Sequence, residues 1–394
     1  MYFGGPNLVT GYQTAAAGAT AGARQPRDAG RRRIAVMRDL LRRLWPICKW
    51  LFTAVILVMI GVLYWRDYDP ALWRRWLERP QWLAVAGVLY LLGIGFSGLY
   101  WRRLLRGFGH TPDLRSVARA YYVGHLGKYV PGKAWALFLR ASLIHGAGVP
   151  GGLATVTAFY EVLVTMASGL LVAAGLFAAL SPATRAGVEW DLLGRLFTRQ
   201  AAAHGVIDRN TAVLLSLLLL VPVLTPILPP LFNRVVHHVS LPFREKDTPA
   251  PTIPWSSLGE GLALTACGWL VLGASLAVVV SVAGELPLNE LPPAFLGRLT
   301  AILGLAYVAG FLSLLPGAGL GSREIVLILF LTPELQERMH ADPEKAGALA
   351  AQAVVLLRLV WTTAELALVS VVYWFRPTPA KEQRTTDNGQ RTKP

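Results

Sequence analysis

The stretch LATVTAFYEVLVTMASGLLVAAGLFAAL, residues 153–180, decides the class of fold. It is apolar or small at almost every position, and Glu161 is its only charged residue. A helix needs about 20 mostly apolar residues to cross the hydrocarbon core of a bilayer. This stretch is long enough, so it predicts a transmembrane helix.

The rest of the chain repeats this pattern. Charged residues make up 15% of the 394 residues, hydrophobic residues make up 54%, and the mean hydropathy is +0.45. A soluble globular protein carries about 25% charged residues, so the composition excludes that class. Further predicted spans are Ile47–Trp65, Trp82–Trp101, Thr211–Phe232, Leu258–Ala283, Ala294–Leu315 and Gly347–Phe375.

Loop charges predict the orientation of these spans. The net charge is +15, and much of it lies in basic segments at the two ends, within residues 1–49 and 376–394. Cytoplasmic loops carry an excess of Lys and Arg, so we expect both termini in the cytoplasm and an inner-membrane location. The linker 332–346 is acidic, so we expect it outside, which makes Gly319–Leu331 a crossing and brings the count to about eight. The basic residues flank apolar spans, and this arrangement does not indicate a nucleic-acid partner.

These patterns give a domain plan. We expect a disordered basic tail over residues 1–33, a membrane domain over 34–375 and a disordered cytoplasmic tail over 376–394. The predicted fold is an all-α polytopic membrane helix bundle of about eight transmembrane helices. Its broken or re-entrant segments are expected near 117–145 and 316–331.

Two Pro-Gly breaks are the informative part of the sequence. The first is GHLGKYVPGKAWALFLR, residues 124–140, and the second is GFLSLLPGAGLGSRE, residues 310–324. Proline cannot continue a helix backward, and glycine permits the turn that must follow. Interrupted segments at corresponding places in two halves of a chain are typical of a transporter's central site. The helix-breaking residues are Pro131, Gly132, Pro316, Gly317, Gly319 and Gly321.

Charged residues near these breaks and inside the spans are the candidate binding residues. They are Lys128, Lys133, Arg140, Glu161, Arg323, Glu324, Arg358 and Glu365. Ionisable groups inside apolar spans are expensive, and they are usually paired or functional. We expect Glu161 to pair with Arg323 or Arg358, and Glu365 to pair with Arg140. Two simpler interpretations stay open: the pairs could only fix helix register, and the lysines could extend to the membrane interface.

The motifs GKYVPGKAWALFLR and LLPGAGLGSRE, with Glu161 in the following span, resemble the transmembrane region of lysylphosphatidylglycerol synthases, also called the flippase-like family. The resemblance covers about residues 45–375, and Ala318 stands where the family pattern has a second glycine. It implies a polytopic fold with re-entrant elements that moves aminoacylated phosphatidylglycerol between leaflets. Other members are linked to polyprenyl-lipid sugars or hopanoid-type lipids. The family's separate synthase domain is not expected here, and neither is synthase activity.

The leading hypothesis is a membrane protein that binds an anionic or zwitterionic lipid head group and translocates it. Its expected partners are membrane lipids, either phospholipids or polyprenyl-linked lipids. One alternative is a non-transporting partner of a lipid or glycan synthase, and the other is a transferase that uses a polyprenyl phosphate. The sequence shows no nucleophile constellation, nucleotide-binding loop or metal-binding motif, so we predict no catalytic residues, metal or cofactor.

Overall fold

Ten α-helices form the part of the chain that the computed structural model describes, which is residues 74, 76–129, 135–180, 209–240, 252–313 and 321–374. In chain order they are α1 (Pro80–Gly107), α2 (Leu114–His125), α3 (Trp135–His145), α4 (Gly151–Leu180), α5 (Arg209–Leu224), α6 (Pro229–Ser240), α7 (Trp255–Ala283), α8 (Pro293–Leu312), α9 (Ser322–Met339) and α10 (Pro343–Val372). Short 3-10 turns lie at Leu126–Tyr129, Thr225–Ile227 and Leu288–Glu290.

Five of these helices, α1, α4, α7, α8 and α10, are long and apolar enough to cross a membrane. They correspond to five of the predicted spans, and no β-strand occurs among the described residues. The protein is therefore an all-α membrane helix bundle, as predicted. The predicted span Ile47–Trp65, both predicted tails and most of the Pro-Gly residues lie outside the described residues.

Helix α7 lies at the centre of the bundle and packs against α1, α4, α8 and α10. At the crossing of α1 and α7, a Cβ atom added to Gly268 would lie 2.8 Å from the carbonyl oxygen of Gly93. At the crossing of α4 and α8, a Cβ atom on Gly304 would lie 2.7 Å from the carbonyl oxygen of Gly169. Small residues at such crossings let helix backbones approach closely, which drives helix association in lipid.

Hydroxyl and indole groups inside the bundle find partners on neighbouring helices. The Ser275 hydroxyl of α7 donates to the carbonyl oxygen of Ala86 at 2.7 Å, and it accepts from the indole N–H of Trp361 at 3.0 Å. The indole N–H of Trp269 donates to the Thr165 carbonyl oxygen at 2.8 Å. These bonds link α7 to α1, α10 and α4, so polar contacts as well as close packing hold the central helix.

One predicted span is wrong in its continuity. Residues 211–232 do not form a single helix, because α5 ends at Leu224, a 3-10 turn follows, and α6 begins at Pro229. The sequence VPVLTPILPP at 221–230 explains the break. Proline has no backbone N–H and restricts the residue before it, so an apolar composition alone does not make this stretch one continuous helix.

The segment after the second break is also longer than predicted. Helix α9 begins at Ser322 and runs to Met339, eight residues beyond the predicted end at Leu331. It therefore takes up about half of the linker 332–346 that the acidic residues had marked as a loop. Glu334 is buried in this part of α9 and pairs with Arg298 of α8 at 2.5 Å. The arginine neutralises the carboxylate, so an acidic residue is tolerated inside the helix bundle.

Candidate functional site

The helices on either side of the first break, α2 and α3, pack against each other. Helix α2 begins after Asp113, whose carboxylate accepts the backbone N–H of Ser116 at 3.1 Å. Partial burial would raise the pKa of Asp113, but hydrogen bonds from Ser116 outweigh that effect and lower it below its usual range. At the far end of α2, a Cβ atom on Gly124 would lie 2.5 Å from the Cγ atom of Arg140. The missing side chain therefore lets α3 lie directly against α2 and brings Arg140 into the bundle.

Arg140 forms a closed ion pair with Glu161 of α4. Its Nη1 atom donates to Oε2 of Glu161 at 2.7 Å, and both side chains are almost fully buried, with 4% and 2% of their side-chain surfaces exposed. The other carboxylate oxygen accepts the hydroxyls of Tyr121 at 3.3 Å and Thr165 at 3.2 Å. The guanidinium carbon also lies 4.1 Å from the centre of the Tyr121 ring. Both oxygens of Glu161 are thus occupied by protein groups.

Glu365 of α10 is the second buried carboxylate, and the 3-10 turn before the first break reaches it. The Lys128 ammonium and the Tyr90 hydroxyl both donate to its Oε1 atom. The Tyr129 hydroxyl donates to its Oε2 atom at 2.8 Å, and Lys128 also donates to the Tyr90 hydroxyl at 3.2 Å. The turn Leu126–Tyr129 therefore places a lysine and a tyrosine on one carboxylate of a different helix.

The second break begins α9 and places a third buried carboxylate. Gly321 has φ = +90°, a conformation that glycine adopts without strain. Its backbone N–H donates to Oε2 of Glu324 at 2.8 Å, so the carboxylate closes the first turn of the helix. The other oxygen of Glu324 accepts Nη2 of Arg323 at 3.0 Å and also accepts Nη1 of Arg358 from α10. Two guanidinium groups therefore share one carboxylate oxygen.

Aromatic side chains connect these carboxylates across the bundle. The rings of Tyr90 and Trp361 stack with centroids 4.3 Å apart, and the Tyr307 and Trp361 ring centroids lie 6.0 Å apart. The Arg323 guanidinium lies over the Tyr307 ring at 4.7 Å. His125 links the other two carboxylates, because its Nδ1 atom is 3.5 Å from Arg140 and its Nε2 atom is 3.6 Å from the Glu365 carboxylate.

We refer to these charged residues together with His125 as the buried charge network. Its members are His125, Lys128, Arg140, Glu161, Arg323, Glu324, Arg358 and Glu365. The network draws on α2, α3, α4, α9 and α10, and it joins the described flanks of both breaks.

Seven of the eight predicted binding residues thus lie together in one network. The eighth, Lys133, and five of the helix-breaking residues lie outside the described part of the chain, and these five are Pro131, Gly132, Pro316, Gly317 and Gly319. The sixth helix-breaking residue, Gly321, turns the chain into α9.

The predicted pairings inside the network are wrong. Glu161 pairs with Arg140 and not with an arginine of the second break, and Glu365 pairs with Lys128 and not with Arg140. The reason is the packing of α3 against α2 at Gly124, which places Arg140 beside α4, while the 3-10 turn Leu126–Tyr129 places Lys128 beside α10. Each break therefore supplies its own cations.

The tyrosines that complete the Glu365 site, Tyr90 and Tyr129, are not among the predicted binding residues. Tyr129 stands two residues before Pro131, so its position beside the break was a usable signal. Tyr90 lies in the middle of a predicted span, where a phenolic hydroxyl must find a polar partner. A mid-span tyrosine or tryptophan therefore indicates a buried polar contact, and here the partner is the Glu365 carboxylate.

An apolar cleft lies between α1 and α10. It has a volume of about 530 Å³, and Thr363 is the only polar residue among its described lining residues. Gly87 of α1 and Ala364 of α10 both line it, and they nearly touch where the helices cross. Tyr90 and Glu365 stand on the same two helices one turn or less away. Neither residue lines the cleft, so the cleft and the Glu365 site lie on different faces of the same two helices.

Comparisons of the chain with protein-family models, curated proteins and solved structures found no match. The functional conclusions below therefore depend on the geometry of the chain itself.

Proposed function

We propose that this protein binds the phosphate-bearing head group of an anionic or zwitterionic lipid and moves it between the leaflets of the membrane. The observation that carries the proposal is the buried charge network, which lies inside a bundle of apolar helices and joins the two broken segments. Ionisable side chains at membrane depth are costly, and they characteristically mark the pathways of ions and substrates.

The cations of the network suit a phosphate. Arg323 and Arg358 present guanidinium donors from two different helices, and Lys128 adds an ammonium from the first break. Guanidinium groups bind phosphate through paired hydrogen bonds, and lysine binds it as a point charge. The backbone of α9 begins at the same place, and a helix N-terminus favours negative charge.

The apolar cleft between α1 and α10 supports a lipid over a water-soluble anion. Its lining is suited to hydrocarbon chains, and Glu365 and Tyr90 are buried on other faces of the same two helices. A lipid at this place would keep its chains in apolar surroundings while its head group enters the charged interior. This arrangement favours movement of a lipid head group along the network and past the α1–α10 crossing.

We further propose that the protein is a multi-pass protein of the inner membrane with both termini in the cytoplasm, on the basis of the basic segments at its ends. The resemblance to the flippase-like family agrees with this proposal. A fluorescent or protease-accessible tag at each end tests the orientation.

The proposed activity is tested with purified protein in liposomes that contain fluorescent phospholipids. Dithionite added outside bleaches the outer leaflet, so continued loss of fluorescence reports movement from the inner leaflet. We expect the wild-type protein to accelerate this loss, and we expect Glu365→Gln to slow it at least tenfold. The substitution removes the carboxylate that organises Lys128, Tyr90 and Tyr129.

A matched control uses the same chemical change at a different place. Glu260 pairs with Arg103 at the bundle surface, where the two side chains are 38% and 54% exposed. Glu260→Gln is expected to retain the wild-type rate. A wild-type rate no faster than that of protein-free liposomes would refute translocation and favour a non-transporting partner of a lipid or glycan synthase.

A further inference from the structure

The balance of positive and negative charges in the buried network indicates which net charge the lipid head group carries. The starting point is the second break, where Arg323 and Arg358 donate to the same oxygen of Glu324. The other oxygen of that carboxylate is occupied by the backbone N–H of Gly321. One negative charge thus faces two positive charges, whereas Glu161 and Glu365 each pair with one Lys or Arg side chain within 3 Å.

His125 does not change this balance. Its Nδ1 atom lies 3.5 Å from a guanidinium nitrogen of Arg140, and a guanidinium can only donate hydrogen bonds. Nδ1 must therefore be an acceptor without a proton, which leaves the ring neutral. The protonated Nε2 atom then faces the oxygens of Tyr90 and Glu365, at 3.5 Å and 3.6 Å.

The network therefore holds one positive charge more than it can neutralise itself. Lys128, Arg140, Arg323 and Arg358 face only the carboxylates of Glu161, Glu324 and Glu365 among the described residues. A positive charge without a counter-charge inside an apolar bundle attracts anions. A bound group with a single negative charge would complete the balance.

The extra charge is also accessible. The side chains of Arg323 and Arg358 are 19% and 30% exposed, in contrast to 4% for Arg140. Lys128 is a third cation of the same network, on Glu365. An anion at the two arginines would therefore contact guanidinium groups from the second break and from α10.

The carboxylates, in contrast, offer little to a cationic ligand. Glu161 accepts donors from Arg140, Tyr121 and Thr165. Glu365 accepts donors from Lys128, Tyr90 and Tyr129. Both oxygens of Glu324 are engaged as well, so an ammonium group on the ligand would have to displace an existing partner of a buried carboxylate.

We propose that the site selects a lipid whose head group is a phosphodiester of net charge −1 without an amine, and that it discriminates against zwitterionic and cationic head groups. This inference rests on the proposed function and narrows its substrate class. Arg323 and Arg358 bind the phosphodiester oxygens, and Glu324 holds the two guanidinium groups in position.

The test measures binding and translocation of three fluorescent lipids with identical chains. They are phosphatidylglycerol with net charge −1, phosphatidylcholine with net charge 0, and lysylphosphatidylglycerol with net charge +1. The full chain is placed in nanodiscs for binding and in liposomes for translocation. We expect the wild-type protein to bind phosphatidylglycerol at least tenfold more tightly than either of the other lipids.

Variants at Arg358 show whether charge sets this preference. Arg358→Gln removes the excess positive charge, so we expect its affinities for the three lipids to differ by about twofold or less. Arg358→Lys retains the charge, so we expect it to retain most of the preference for phosphatidylglycerol. Arg298→Gln is the matched control, because Arg298 of α8 also pairs with a buried glutamate, and that glutamate, Glu334, lies three turns along α9 from Arg323. We expect this control to keep the wild-type preference.

The outcomes separate the two proposals. Equal binding of all three lipids, or tighter binding of lysylphosphatidylglycerol, overturns the charge rule even if every lipid is translocated, and the proposed function then stands. If the protein binds and translocates none of the three lipids, both proposals are overturned.

A competition experiment with chain-free glycerophosphoglycerol distinguishes a lipid from a soluble ligand. If this compound displaces the lipid only at much higher concentration, the phosphodiester is that of a lipid, and if it is equally potent, the ligand is a soluble diester and the lipid assignment is overturned.

Discussion

The two broken segments handle buried charge in opposite ways. At the first break, Arg140 and Glu161 form a one-to-one pair that is almost fully buried, and two hydroxyls occupy the remaining carboxylate oxygen. At the second break, Arg323 and Arg358 share Glu324 and remain partly accessible. The first arrangement has one carboxylate for one guanidinium group, although the buried Nε atom of Arg140 has no hydrogen-bond partner among the described residues, and the second has one carboxylate for two guanidinium groups.

This difference separates a structural role from a binding role within one network. A buried pair whose two charges are balanced does not need an ion from outside, and removing one member costs much stability. An unbalanced pair of arginines can bind an anion without giving up its own carboxylate. We therefore interpret the Arg140–Glu161 pair as the anchor that fixes α3 against α4, and the Arg323–Glu324–Arg358 group as the part that contacts a ligand.

The largest effect on stability is expected at the closed pair. Glu161→Gln leaves the guanidinium of Arg140 buried without a counter-charge, and such a change costs about 3–5 kcal/mol. The free energy of unfolding in detergent, measured by titration with a denaturing detergent, checks this value. The double variant Arg140→Gln with Glu161→Gln removes both charges and should recover much of the loss. A single variant as stable as the wild-type protein would show that the pair is not an anchor.

The same type of substitution at the open group should cost far less. In Arg358→Gln, Arg323 still neutralises Glu324, and the lost side chain was partly exposed. We expect a loss of about 1 kcal/mol or less, close to that of an accessible ion pair. The same detergent titration gives the comparison directly. A loss as large as that of Glu161→Gln would remove the distinction between the two breaks.

The sequence predicted the membrane class, five long helices and seven members of the network, because each depends on a local signal. A long apolar run predicts a span, and a charge inside that run marks an exceptional position. The partners could not be predicted in the same way. Arg140 reaches α4 because Gly124 lets α3 pack closely against α2, and the spacing of residues along the chain does not predict that contact.

The same limit explains the errors in helix continuity. Hydropathy averages over a window, so it does not detect that the prolines between 222 and 230 divide a stretch into α5 and α6. It also placed Glu334 in a loop, although Arg298 neutralises that carboxylate within the folded bundle. An oppositely charged residue on another helix reduces the free-energy cost of burying a charged side chain. Such partners are brought together only when the chain folds.

The smallest effect concerns the aqueous ends of the helices that carry the two arrangements. Asp113 caps α2, which leads to the closed pair, and Asp342 caps α10, which carries Arg358. The pKa of Asp113 is lowered in the folded protein. Its ionised form therefore contributes stability above the unfolded pKa of about 3.9, and this contribution is lost as the pH falls through the lower folded pKa.

Asn also caps helices, so Asp113→Asn removes the charge and keeps the hydrogen bond. We expect a loss of about 0.3–1 kcal/mol at pH 7, and the difference from the wild-type protein should shrink below pH 4. Thermal unfolding between pH 3 and pH 7 measures it, and a difference that grows on acidification would contradict the assigned role. Because this cap lies outside the network, the variant should leave the lipid preference unchanged, which separates the stability of α2 from the charge balance of the site.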